Sequence, residues 1–127
     1  MFFWVALGGA LGSMARYWVG VRITMLAGLN FPWATILINI LGSLVIGFLA
    51  TLTGPDGRLP APIDARAFLM VGLCGGFTTF SAFSLQTLEF ARDGPLLLAG
   101  TNILLSVVLC LVAVALGHWI AALFGRA

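Results

Sequence analysis

Lysine is absent from this chain, and carboxylates are scarce. Six arginines, four Asp or Glu and one histidine are spread over 127 residues. Charged residues make up 8% of the sequence, far below the roughly 25% of an ordinary soluble domain. With 61% of the residues hydrophobic, so few charges exclude an aqueous globular fold, and the bilayer is the natural solvent. The net charge of +2 is too small and too dispersed for a nucleic-acid footprint, so no nucleic-acid partner is expected. The two cysteines, Cys74 and Cys110, lie in apolar stretches with no second Cys or His at metal-ligand spacing. They read as small apolar side chains. His118 reads as an interfacial or hydrogen-bonded residue rather than a ligand. The opening run MFFWVALGGALG lacks the basic segment of a signal peptide and is taken as the start of a helix.

What is present is four long apolar segments, at about 2–26, 32–53, 65–92 and 96–124. At ~1.5 Å per residue each spans a hydrocarbon core ~30 Å thick. The expected fold is an all-α membrane protein, one transmembrane domain over 1–127, with four transmembrane helices and the third broken mid-membrane near 75–79. The stretch TGPDGRLPAPIDAR is the one long loop, and Asp93-Gly94-Pro95 reads as a turn. Four crossings place Arg58, Arg66 and Arg126 on one flank, against Arg22 and Arg92 on the other. Three against two is almost no positive-inside bias. The chain is therefore expected to insert both ways round and form an antiparallel homodimer; the alternative is that Arg58 and Arg66 fix one orientation. Four helices also leave little room for a pathway, so transport would need two subunits. Gly8 and Gly12, Ser43 and Gly47, and Gly72 and Gly76 are each four apart and suit close helix approach, between subunits or within one.

Polar residues at bilayer depth are costly and therefore informative. Thr35, Asn39 and Ser43 share one face of the second helix; Asn102, Ser106 and Cys110 do the same on the fourth. Serines often bond back to their own helix, but the amide of Asn39 needs partners from elsewhere. Arg16 either snorkels to the interface or faces a watery vestibule that draws in anions. No acidic residue lies in the first, second or fourth helix, so an anion is a better passenger than a cation. In the third helix, Gly75 and Gly76 weaken the helix and the β-branched Thr78 and Thr79 follow. Carbonyls freed by a break there suit a cation. Phe80 and Phe83 share a face, and a phenyl ring's positive edge suits a small anion, although lipid or packing roles account for the spacing equally well.

The runs GGALGSMARY, PWATILINILGSLVIG and GLCGGFTTFSAFS, in that order and spacing, resemble the small fluoride channels of the Fluc/CrcB family, over nearly the whole chain. The resemblance implies a dual-topology antiparallel homodimer in the bacterial inner membrane, with two pores that pass fluoride passively out of the cell. It implies that Asn39 is the pore asparagine, Phe80 and Phe83 the pore phenylalanines, Ser106 part of a polar track and Thr35 its neighbour. Arg16 matches the basic residue of the first helix. Ser81, Ser84, Asn102, Cys110 and Gln86 complete the expected fluoride pathway. Backbone carbonyls of Gly75 and Thr78 match the ligands of a structural Na+ at the dimer interface. Three positions depart from the common pattern: Ala82 stands where Thr is usual, Gln86 where Glu is frequent, and Cys110 where a hydroxyl is often found. The rival reading, a small proton-coupled multidrug exporter, needs an acidic residue in the first helix, and none is there.

Overall fold

The computed structural model describes residues 1–125, all in helices and their connections; Arg126, placed on one flank by the charge count, lies outside the described residues. Helix α1 spans Phe2–Ala27 and α2 spans Trp33–Leu52. Helix α3 is continuous through three stretches, Ile63–Arg66, a π-helical Ala67–Cys74 and Gly75–Phe77. Helix α4 covers Phe80–Asp93 and α5 covers Leu96–Gly125. The expected segments are recovered to within two residues at each end. One boundary differs in kind: Pro32 precedes α2 instead of opening it, and its carbonyl takes the Ile36 N–H at 3.1 Å. Helix α1 ends at Gly28, whose φ of +81° only glycine adopts freely, and whose N–H returns to the Thr24 carbonyl at 2.9 Å.

Among the described residues, three helices are long and apolar enough to cross a membrane: Trp33–Leu52, the interrupted Ile63–Asp93, and Leu96–Gly125. The chain is a multi-pass membrane protein. Helix α1 is 26 residues long but is diluted by Arg16, Arg22 and several glycines.

The helices pack in parallel pairs. Helix α1 lies along α3, with Gly8 against Gly72, Gly12 against Leu73, and Gly76 against Gly9. Helix α2 lies along α5 in the same sense, with Gly47 on Val114, Gly117 on Leu44, and Thr51 Oγ1 2.7 Å from His118 Nδ1. Helix α4 packs mainly on α5. A Cβ at Gly12 would collide with the Leu73 carbonyl, and one at Gly117 with the Leu44 carbonyl. The small-residue spacings thus serve backbone contact within one chain, where dispersion does the work that hydrophobicity does in water. The outer faces stay apolar: Leu104, Leu111 and Leu123 are all mostly exposed, as befits a surface that meets lipid or another helix.

The break in the third segment lies later than the glycines. Gly75 and Gly76 are helical; the extended residues are Thr78 (φ −79°, ψ 158°) and Thr79 (φ −150°, ψ 105°). The Thr78 N–H and hydroxyl both donate to the Cys74 carbonyl, each at 2.9 Å, and finish the helix there. Just upstream, the π-helical winding shows in the Gly75 N–H, which reaches back to the Met70 carbonyl.

Candidate ion pathway

The site is built around the two extended threonines. Asn39, on α2, meets the Thr79 peptide with both ends of its amide. Its Nδ2 donates to the Thr79 carbonyl at 3.0 Å, and its Oδ1 accepts the Thr79 N–H at 2.7 Å. In an unbroken helix that N–H would close onto the Gly75 carbonyl. One turn on, the Ala82 N–H goes to Thr79 Oγ1 at 3.2 Å, the N-cap bond of α4, instead of to the Thr78 carbonyl. The Gly75 and Thr78 carbonyls are the two left over by these exchanges. The Gly76 carbonyl is occupied: Arg16 Nε donates to it at 3.1 Å and Ser13 Oγ at 3.5 Å. A guanidinium at the C-terminal end of α3 also opposes the negative end of that helix's dipole. The Arg16 head is therefore bonded to the broken helix, and it is only part-buried there.

A cavity of about 390 Å³ opens beside the break, between α2, α3, α4 and α5. Its walls carry Asn39, Ser43, Gly75, Thr78, Phe80, Phe83, Ser106 and Cys110, together with Cys74. Phe83 is buried and Phe80 is 77% exposed. Their rings lie 5.3 Å apart at 50°, so both can turn an edge toward one small space. Asn102 is 1% exposed and stands behind this wall. Ser106 Oγ donates to Asn102 Oδ1 at 3.3 Å, Asn102 Nδ2 donates to Thr87 Oγ1 at 2.9 Å, and Thr87 donates to the Phe83 carbonyl at 2.8 Å. The polar stripe of α5 is thus one cavity hydroxyl, Ser106, braced by a buried amide.

Other candidate residues stand apart. Ser84 bonds back to the Phe80 carbonyl at 2.9 Å, and Ser81 lies 3.3 Å from Thr79 Oγ1; both are exposed and neither lines the cavity. Arg16 and Thr35 line a second space, of about 610 Å³, under α1. Thr79 belongs to both spaces and forms their shared wall. Gln86 faces a third, of about 270 Å³, with Thr35, Glu89 and Phe90, and its buried Oε1 has no hydrogen-bond partner.

Two groups essential to this geometry carried little signal in the sequence. Thr79 sits three residues before Ala82, the spacing of an N-cap bond, which was the available clue. Thr87 had none. Among the described residues no group of three or more His, Cys, Asp or Glu comes together.

The geometry defines a class first: a small multi-pass helical membrane protein whose central helix is discontinuous and borders a cavity with a few hydroxyls and phenyl rings. Residues 3–118 match the family described as CrcB-like protein, Camphor Resistance (CrcB), and the chain belongs to that family. It is 59% identical over 117 residues to a protein of Rhodospirillum rubrum named fluoride-specific ion channel FluC, covering 92% of this chain and 91% of that one. A protein of the same name from Paramagnetospirillum magneticum is 55% identical over 122 residues, 96% and 95% of the two chains. Another, from Methylocella silvestris, is 54% identical over 120 residues, 94% and 92%.

Proposed function

We propose that this chain forms a fluoride-selective channel that lets fluoride leave the cell passively. The observation that carries the reading is the 59% identity, along nearly the full length of both chains, to a relative named as a fluoride-specific ion channel. The site chemistry supports it. Fluoride is compact and strongly hydrated, so a pathway must replace water with donors yet avoid a fixed charge that traps the ion. The cavity offers the Ser43 hydroxyl, the Cys110 thiol and the edges of Phe80 and Phe83, together with the Ser106 hydroxyl when its proton turns from Asn102 toward the cavity, and no carboxylate lies in its walls. Asn39, Thr35, Ser81, Ser84, Asn102, Gln86 and Arg16 complete the proposed path or its immediate support.

The working unit of this reading is an antiparallel homodimer with two pores in the bacterial inner membrane. Helix α1 makes the fourth crossing. The pairing of α1 with α3 and of α2 with α5, each pair parallel, is what an up-down-up-down path produces. A structural Na+ at the dimer axis is held in this reading by the Gly75 and Thr78 carbonyls. Those are the two oxygens whose helical N–H partners bond to Asn39 and to Thr79 Oγ1 instead. Neutral carbonyl oxygens at a helix end suit a hard monovalent cation. When bound, the ion supplies a fixed positive charge that ties the two broken helices together.

Purified protein in liposomes, with efflux read by a fluoride electrode, tests the reading. Fluoride release with little chloride release is expected; equal chloride release, or no fluoride release, overturns it.

A further inference from the structure

We infer that Asn39 is a positioning residue that holds the helix break open through the Thr79 peptide, in addition to any contact it makes with a passing ion. The geometry is a closed pair of hydrogen bonds, Thr79 N–H to Oδ1 at 2.7 Å and Nδ2 to the Thr79 carbonyl at 3.0 Å. A primary amide can satisfy both the backbone donor and the backbone acceptor of one residue, which a hydroxyl cannot do in the same arrangement. Backbone groups at this depth have no bulk water to turn to. An unclamped Thr79 N–H would therefore seek the Gly75 carbonyl, and the helix would run on through residues 78 and 79. The clamp prevents this in one stroke: it occupies the N–H and leaves the Gly75 carbonyl free. It also fixes the first residue of α4, Phe80, one bond away from the clamped peptide. Gly42, one turn below Asn39 on the same face, has room for no Cβ because the Thr78 methyl lies against it. Two consecutive positions of that α2 face are thus shaped to receive the break, one by an amide and one by the absence of a side chain.

Substitution by aspartate gives a distinctive test. A protonated carboxyl has the same donor–acceptor pair as the amide and can clamp Thr79; the ionised form loses the donor and repels the carbonyl. The groups facing this position are Cys74 on α3, Cys110 on α5 and, across the Thr79 wall, Arg16 and Tyr17 on α1. None is a carboxylate. Asn39→Asp is thus expected to gain clamp strength as pH falls through its own titration, and Asn39→Ala to lack it at every pH.

The experiment is amide hydrogen exchange at Thr79 by NMR on the full chain in detergent micelles, from about pH 3.5 to 8 so that the ordinary aspartate range, about 3.9, is spanned, with rates corrected for intrinsic exchange. Relative to the unsubstituted protein, Thr79 exchange should be at least ~10-fold faster in Asn39→Ala. In Asn39→Asp it should fall back toward the unsubstituted rate at the acid end. Circular dichroism checks that both variants remain helical; if the alanine variant does not, the pH profile of the aspartate variant decides alone. Thr79 protection unchanged in both variants overturns the inference, even if fluoride flux is lost, since Asn39 would then act on the ion only. The readout does not depend on fluoride conduction, so it stands or falls separately from the proposed function.

Discussion

Phe80 and Phe83 are one turn apart on α4 and line the same cavity, yet they live in different surroundings. Phe80 is 77% exposed and Phe83 only 8%. Replacing Phe80 with Ile should leave thermal stability within about 0.5 kcal/mol while fluoride flux drops about 2- to 12-fold. That range is what ~0.5–1.5 kcal/mol of lost aromatic contact corresponds to. Phe83→Ile should lower flux too, but with a visible loss of stability, because its ring is packed under α5. Liposome flux and thermal unfolding of the same samples separate the two; unchanged flux in both variants would remove the rings from the path. At this scale the sequence was informative about which residues need partners and silent about who the partners are. The amide of Asn39 had to be satisfied by something, but its partner peptide is 40 residues away. Asn102 reads as a lining residue by spacing alone. It is a brace, because Thr87 reaches it from α4. Gln86 and Thr35 belong by motif to one path with Asn39, but by geometry they share a space on the far side of α2's start.

The helices themselves were almost fully legible, since apolar runs closed by Gly and Pro leave few alternatives. The local winding of α3 was not. Nothing in AFLMVGLC distinguishes a π-helical stretch from an α-helical one, and the break expected near 75–79 falls on the last two of those positions, Thr78 and Thr79. Gly76 answers to packing, because it lies against the Gly9 backbone, whereas a Cβ at Gly75 would meet only the Met70 carbonyl at an ordinary 3.7 Å. The same logic gives a prediction for α1. Gly12→Ala places a methyl against the Leu73 carbonyl and should cost about 1–3 kcal/mol. Gly9→Ala meets nothing within 4 Å and should be neutral or slightly stabilising, as alanine is the better helix former. Thermal unfolding in detergent compares the two; equal melting of both variants would mean that α1 and α3 separate more easily than their contact implies.

For the molecule as a whole, the near balance of arginine between the two flanks remains the ground for dual insertion. Arg58 and Arg66 are both engaged at one end of the bundle. Arg58 Nη1 donates to the Phe124 carbonyl at 2.7 Å, and Arg66 Nη1 donates to Thr53 Oγ1 at 3.0 Å. Arg58 ties the loop after α2 to the end of α5, and Arg66 ties the start of α3 to the end of α2. A cysteine at the exposed position Leu59 should accordingly react with a membrane-impermeant maleimide from both faces of a native membrane, in comparable amounts. Labelling from one face only would refute dual insertion.

The parallel pairing of helices has a consequence for biogenesis. The principal partner of α1 is α3, and that of α2 is α5, so neither of the first two helices meets its main contact when it leaves the ribosome. Both must wait in lipid, with Gly8, Gly12 and Gly47 bare and Asn39 unmatched, until 40 residues or more have followed. Only the arrival of residues 78–79 gives Asn39 its peptide, and only α5 covers Gly47. Synthesis order thus sets assembly order: the break can form once Thr79 reaches Asn39, the cavity is closed only when α5 adds Ser106 and Cys110 to its wall, and a chain stalled before α5 would hold the break without the cavity.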